Sequence, residues 1–172
     1  MSPLLKLYDS AIRSLERNGW LVPTLARLVF ICVLFFYFWN SAFLKIDGSI
    51  FSPSAGAFGQ IFPKAAEAVL YDVTKLTSLQ RIVILFGTLA EFTLPVLIVI
   101  GLFTRLAALS MIGFIFVQTV VDVTGHGVKL GMLFDSSQAL IDQRLMWTFL
   151  FLVMVFRGAG PISVDRLFSK PE

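Results

Sequence analysis

Four long apolar stretches constrain this chain more than any other feature of its sequence. A helix rises ~1.5 Å per residue, so crossing ~30 Å of hydrocarbon takes about 20 mainly apolar residues. Residues 22–44, 82–100 and 106–123 meet that requirement. A fourth stretch, 137–156, is less clean: Leu145 to Phe156 is too short by itself and needs the turn holding Asp142, Gln143 and Arg144 to reach the far interface. With 57% of residues apolar and 15% charged, water is the wrong solvent for most of this surface. The expectation is an all-α integral membrane four-helix bundle, with residues 1–172 forming one domain.

The connecting segments fit a multi-pass chain. Leu4, Tyr8, Ile12 and Leu15 recur at helical spacing while Lys6, Arg13 and Arg17 fall elsewhere, which suits a short amphipathic helix in the headgroup layer, with a frayed tail the equal alternative. A cleaved signal peptide is the alternative for the first stretch, but the apolar run is longer than a usual signal core and no small-residue cleavage site follows it. With the N-terminus inside, the inner segments carry eight Lys and Arg and the longer outer segments six, a bias toward both termini lying on the cytoplasmic side. In the first outer segment, Ala66, Val69, Leu70 and Val73 lie to one side of a helix drawn over 63–75, with Lys64, Glu67 and Asp72 off it, which predicts a second amphipathic helix. The second outer segment holds Gly125-His126-Gly127, Gly131 and Asp135-Ser136-Ser137, the signature of an irregular re-entrant or capping loop.

Polar residues inside apolar stretches are costly and therefore informative. Glu91 is the tenth of nineteen positions in the second stretch. A carboxylate at mid-membrane costs about 2.5 to 3.5 kcal/mol on insertion scales unless paired or protonated. Gly87 and Pro95 flank it at i−4 and i+4; the glycine allows close helix approach and the proline frees a carbonyl. Arg27, one to two turns into the first stretch, is the nearest partner by depth, so an Arg27–Glu91 pair is expected; the alternative is that Arg27 snorkels to the headgroups and Glu91 is neutral. A second group gathers toward the outer face: Asn40, Ser41 and Lys45, then Gln118 and Asp122 on one helical face, then His126, Asp142 and Arg144. Pointing inward, these would line a polar pocket floored by Glu91. Taken singly, Lys45, Asp142 and Arg144 read as ordinary interfacial charges.

Other chemistry is excluded or weakly supported. His126 has no Cys or His partner at ligand spacing, so it reads as a loop residue bonded to a neighbouring carboxylate, and no metal site is expected. Met111, Met132, Met146 and Met154 read as packing and Cys32 as a small hydrophobe. Basic residues are scattered without a stripe, so a nucleic-acid partner is not supported. No hydrolase, kinase, Rossmann or P-loop spacing is present.

Three segments carry a resemblance to a known family: Leu85-Phe86-Gly87-Thr88-Leu89-Ala90-Glu91, the turn Gly101-Leu102-Phe103-Thr104-Arg105-Leu106-Ala107-Ala108, and the tail Gly158-Ala159-Gly160-Pro161-Ile162-Ser163-Val164-Asp165. Together with Arg27 and the run from Trp39 to Lys45, they resemble the DoxX family of small bacterial membrane proteins. The chain departs from that pattern at Asn40, where the family often has glycine, and in its long first outer loop. The resemblance implies a four-helix bundle in the bacterial inner membrane. It also implies a link to redox work, since relatives include a subunit of a thiosulfate:quinone oxidoreductase and a membrane partner of oxidative-stress enzymes. The leading expectation is a membrane subunit or partner of such a system, with a quinone headgroup or small sulfur compound bound at the polar group around Glu91. The chain has no haem, iron–sulfur or flavin ligands and no covalent cofactor is expected, so a partner subunit would supply electrons. A small transporter, working as a homo-oligomer, and a scaffold without ligand are the alternatives.

Overall fold

The computed structural model describes residues 3–134 and 140–168. Helix α1 spans Pro3–Arg17, and α2 runs Leu21–Leu44. The buried positions of α2 include Ala26, Phe30, Leu34, Phe38 and Ala42, a spacing of four that drifts about 40° per step on a 3.6-residue helix. One π-helical turn at Ile31–Phe35 under-rotates the helix and takes back part of that drift, keeping the stripe on the core side.

A two-stranded hairpin follows, β1 (Ile46–Asp47) and β2 (Ser49–Pro53), turning at Gly48 with φ 69°. Two short helices, α3 (Ala55–Ile61) and α4 (Pro63–Ala68), and a 3-10 turn at Val73–Lys75 complete the segment before the next long helix. The amphipathic helix expected over 63–75 is therefore cut short at Ala68, where Leu70 and Tyr71 adopt left-handed backbone. Ala57, Phe58, Ala66, Leu76 and Ile84 close a small core that seats this segment on the next long helix.

That helix, α5, spans Ser78–Ile100 and begins four residues before the expected start, because Thr77 and Gln80 form a reciprocal capping box. Helix α6 spans Thr104–Thr124, α7 spans Leu140–Arg157, and a short α8 covers Asp165–Phe168. The expected start of the fourth stretch at 137 and the cap over Asp135–Ser137 lie outside the described residues. Around the bundle the order is α2, α5, α6, α7, and α7 returns to α2. Phe30, Phe38, Ile98, Met111, Trp147 and Phe151 meet in the centre, with Phe30 and Phe151 edge to face at 5.6 Å.

Three helices, α2, α5 and α6, are long and apolar enough to cross a membrane. Helix α7 holds Asp142, Arg144 and Arg157 within 18 residues and falls short of the same test. The outward surface is nonetheless apolar on every side: Phe36, Phe86, Phe116 and Phe149, one from each long helix, are each more than 60% exposed.

Candidate functional site

The first correction concerns Arg27. It is 8% exposed and does not pair with Glu91; its guanidinium donates to the carbonyls of Ile98 (3.0 Å), Val99 (2.6 Å), Ala159 (2.8 Å) and Ile162. Near the end of α5, Ile98 also accepts from Gly101 N–H, and Arg27 adds its donors to Ile98 and Val99 while tying α2 to α5 and to the tail after α7. A neighbouring bond set joins the same pieces: Asp165 accepts from the N–H groups of Phe103 and Thr104 at 2.6 and 2.9 Å, and its own N–H donates to Gly101. Arg27 is thus a structural clamp at one end of the bundle.

Glu91 finds its partner just past the far end of the helix that carries Arg27. Lys45 Nζ lies 2.5 Å from Glu91 Oε2, and both side chains are 4% exposed. Ser41 donates to Glu91 Oε1 at 3.2 Å and accepts from Lys45 at 2.9 Å, so the three side chains close a ring. Lys45 is therefore no interfacial charge. It lies one residue beyond α2, one turn after Ser41; its carbonyl accepts from Ser54 N–H, and it shares a cavity with Gln60 and Ile61 of α3.

A second ionic group stands beside the first. Arg144 from α7 reaches Asp122 of α6 at 2.7 Å and lies over the Trp147 ring at 4.7 Å, with its Nε unpartnered among the described residues. Gln118, one turn before Asp122, donates to the Tyr37 hydroxyl at 3.1 Å. Arg144 is thus buried as well, against the interfacial reading. Between the two groups lies a cavity of about 90 Å³, lined by Lys45, Glu91, Gln118 and Asp122 and by apolar side chains of α5 and α6.

Gly87 borders this cavity, and a Cβ built there would meet nothing within 4 Å. The glycine does not serve close helix approach; it leaves a gap over Glu91. Val83 and Val117, also lining the cavity, are 40% and 60% exposed, so the gap faces the outer surface between α5 and α6. No protein-family model, curated protein or solved structure matches this chain.

The remaining expected site residues stand apart. Asn40 is exposed, and Asp142, half-buried in the first turn of α7, joins neither ionic group among the described residues. His126 lies 2.9 Å from the carbonyl oxygen of Gln60, a backbone group and not the carboxylate expected, and so pins the segment after α6 to helix α3. No cluster of metal-ligating side chains occurs among the described residues. Met111 and Met154 are fully buried in the core, Met132 and Met146 are exposed, and Cys32 is exposed. Tyr37 and Gln60 were not anticipated. Tyr37 precedes Ser41 and Lys45 by four and eight residues, so its helical spacing contained the signal, whereas Gln60 sits on the short helix α3, and spacing along the long helices does not tell that α3 folds over the cavity.

Proposed function

We propose that this chain is a DoxX-type inner-membrane protein of four spans, α7 being the fourth, with both termini cytoplasmic. In this reading its outer-half polar cavity receives a polar group from a membrane-soluble partner, in the service of a redox or sulfur-compound:quinone system. The observation that carries this is the buried Lys45–Glu91 pair opening on a cavity beneath the gap at Gly87. A quinone asks for hydrogen bonding at its carbonyls and apolar surface for its tail; Lys45 and Gln118 supply the first, Val83, Phe114 and Val117 the second. The volume of about 90 Å³ sets a limit, since ligand pockets usually measure about 300 Å³ or more; a carbonyl edge fits inside while the ring and tail lie along α5 and α6.

Electrons would come from a partner subunit. The protein alone should bind a short-tailed quinone without reducing it under anaerobic conditions. Binding measured by fluorescence quenching should weaken at least tenfold in Glu91→Gln, and unchanged affinity in that variant would sink the proposal.

The cavity's size favours a second reading. About 90 Å³ is the liquid volume of about three waters, and two ion pairs flank it, an arrangement suited to passing a proton or small ion. Proton flux in proteoliposomes that disappears in Glu91→Gln would select transport over redox partnership. Full physiological function in Glu91→Gln, with only stability reduced, would leave a scaffold.

A further inference from the structure

At the opposite end of the bundle, an open groove of about 760 Å³ lies among the start of α2, the α5–α6 turn and the tail after α7. Its charged lining is Arg105, Arg157 and Arg166 against Asp165, and the Asp165 carboxylate already accepts from the Phe103 and Thr104 N–H groups. All three arginines are exposed, and none forms a salt bridge among the described residues. At the other end, by contrast, Lys45 and Arg144 are both neutralised by carboxylates. Apolar surface borders the arginines: Trp20, Phe103 and Phe168 line the groove and are 45%, 65% and 77% exposed. Arg105 runs past Gly158, whose φ of 76° favours glycine; a Cβ there would be in ordinary contact with the Arg105 Nε at 3.4 Å.

We propose that this groove is a binding site for an anionic phospholipid, with the phosphodiester on Arg105, Arg157 and Arg166 and an acyl chain leaving over Phe103. The guanidinium fork matches phosphate oxygens two at a time, and unneutralised cations beside an apolar wall complement an anionic headgroup joined to hydrocarbon. Because Asp165 occupies the N-terminus of α6, side chains and not helix N–H groups do the recognition. The proposal rests on reading the long helices as membrane spans and is independent of the role of Glu91.

The test uses the full chain in neutral detergent, following its thermal midpoint as short-chain phosphatidylglycerol, phosphatidylcholine or inorganic phosphate is added. Phosphatidylglycerol should raise the midpoint saturably, and the other two should not at equal concentration. Each Arg→Gln change at 105, 157 or 166 should weaken the apparent affinity about fivefold, while Lys64→Gln, at an exposed cation elsewhere, and Glu91→Gln should keep the full shift. Equal stabilisation by phosphatidylcholine would overturn the proposal, as would a phosphate shift as large as the lipid's, which would mean a free-anion site. An undiminished shift in the triple Arg→Gln variant, folded as judged by its lipid-free midpoint, would overturn it too. Recovery of the chain in soluble form without detergent would overturn the membrane reading itself.

Discussion

Lys45 and Glu91 show why a buried ion pair is better evidence of a site than of stability. Each charge left water at a cost of several kcal/mol, and the other returns most of it only because the geometry is tight and Ser41 fills a remaining hydrogen-bond position. Removing one partner strands the other. Lys45→Met or Glu91→Leu alone should cost about 3 to 5 kcal/mol in detergent unfolding, and the double variant should recover most of that. If the double variant were as unstable as either single one, the pair would not be the coupled unit described. Arg27 makes the parallel argument with backbone partners. Arg27→Lys keeps the charge but cannot present a planar fork to carbonyls of two separate segments, and should lower stability by about 2 kcal/mol, with Arg27→Ala costing more. At this scale, the need of Glu91 for compensation was legible from its depth in an apolar run; the identity of the partner was not. Arg27 lies closer by depth counting, but depth says nothing of which way a side chain faces or what competes for it, and four carbonyls at the other end of the helix claimed it.

The α5–α6 turn and the tail after α7 act as one element although they lie far apart in sequence. Leu102 N–H bonds Leu97 and Gly101 N–H bonds Ile98, the paired arrangement that ends a helix on a left-handed residue, and Gly101 has φ 70°. A Cβ at Gly101 would lie 2.5 Å from Ser163 Cβ and 3.1 Å from the Arg27 guanidinium. Gly101→Ala should therefore exceed the ordinary left-handed penalty of about 1 kcal/mol and loosen the tail. Limited proteolysis near Ser163 reads that loosening directly, and an unchanged cleavage rate would contradict it. Asp165 caps α6 from the tail, so Asp165→Ala should cost about 1 to 2 kcal/mol and fray the first turn of α6, visible as faster amide exchange at Phe103 and Thr104. These contacts give a physical reason for the two sequence segments singled out around Gly101 and Gly158: they are the two halves of one joint.

Across the whole molecule, residues 20–27, the α5–α6 turn and residues 157–168 share one end, and the hairpin, α3 and the loop after α6 share the other. In the proposed four-span topology, tags at both termini should be protease-sensitive only from the cytoplasmic side, whereas Ser52→Cys in a Cys32→Ser background, exposed in the hairpin, should label from outside. Termini on opposite sides would mean an odd number of crossings and remove α7 from the bilayer. The amino-acid sequence by itself determined the helical class, three of the long helices to within a few residues, and the presence of an acid that needed a partner. Those properties follow from local pattern, since helix length, hydropathy and capping depend on neighbours along the chain. Only the tertiary structure decided that Lys45 and not Arg27 meets Glu91, that Asp122 takes Arg144, and that the segment between α2 and α5 breaks into a hairpin and two short helices. Each of those outcomes depends on which helix faces which and what else competes for the same charge, and that information appears only once the helices are packed side by side.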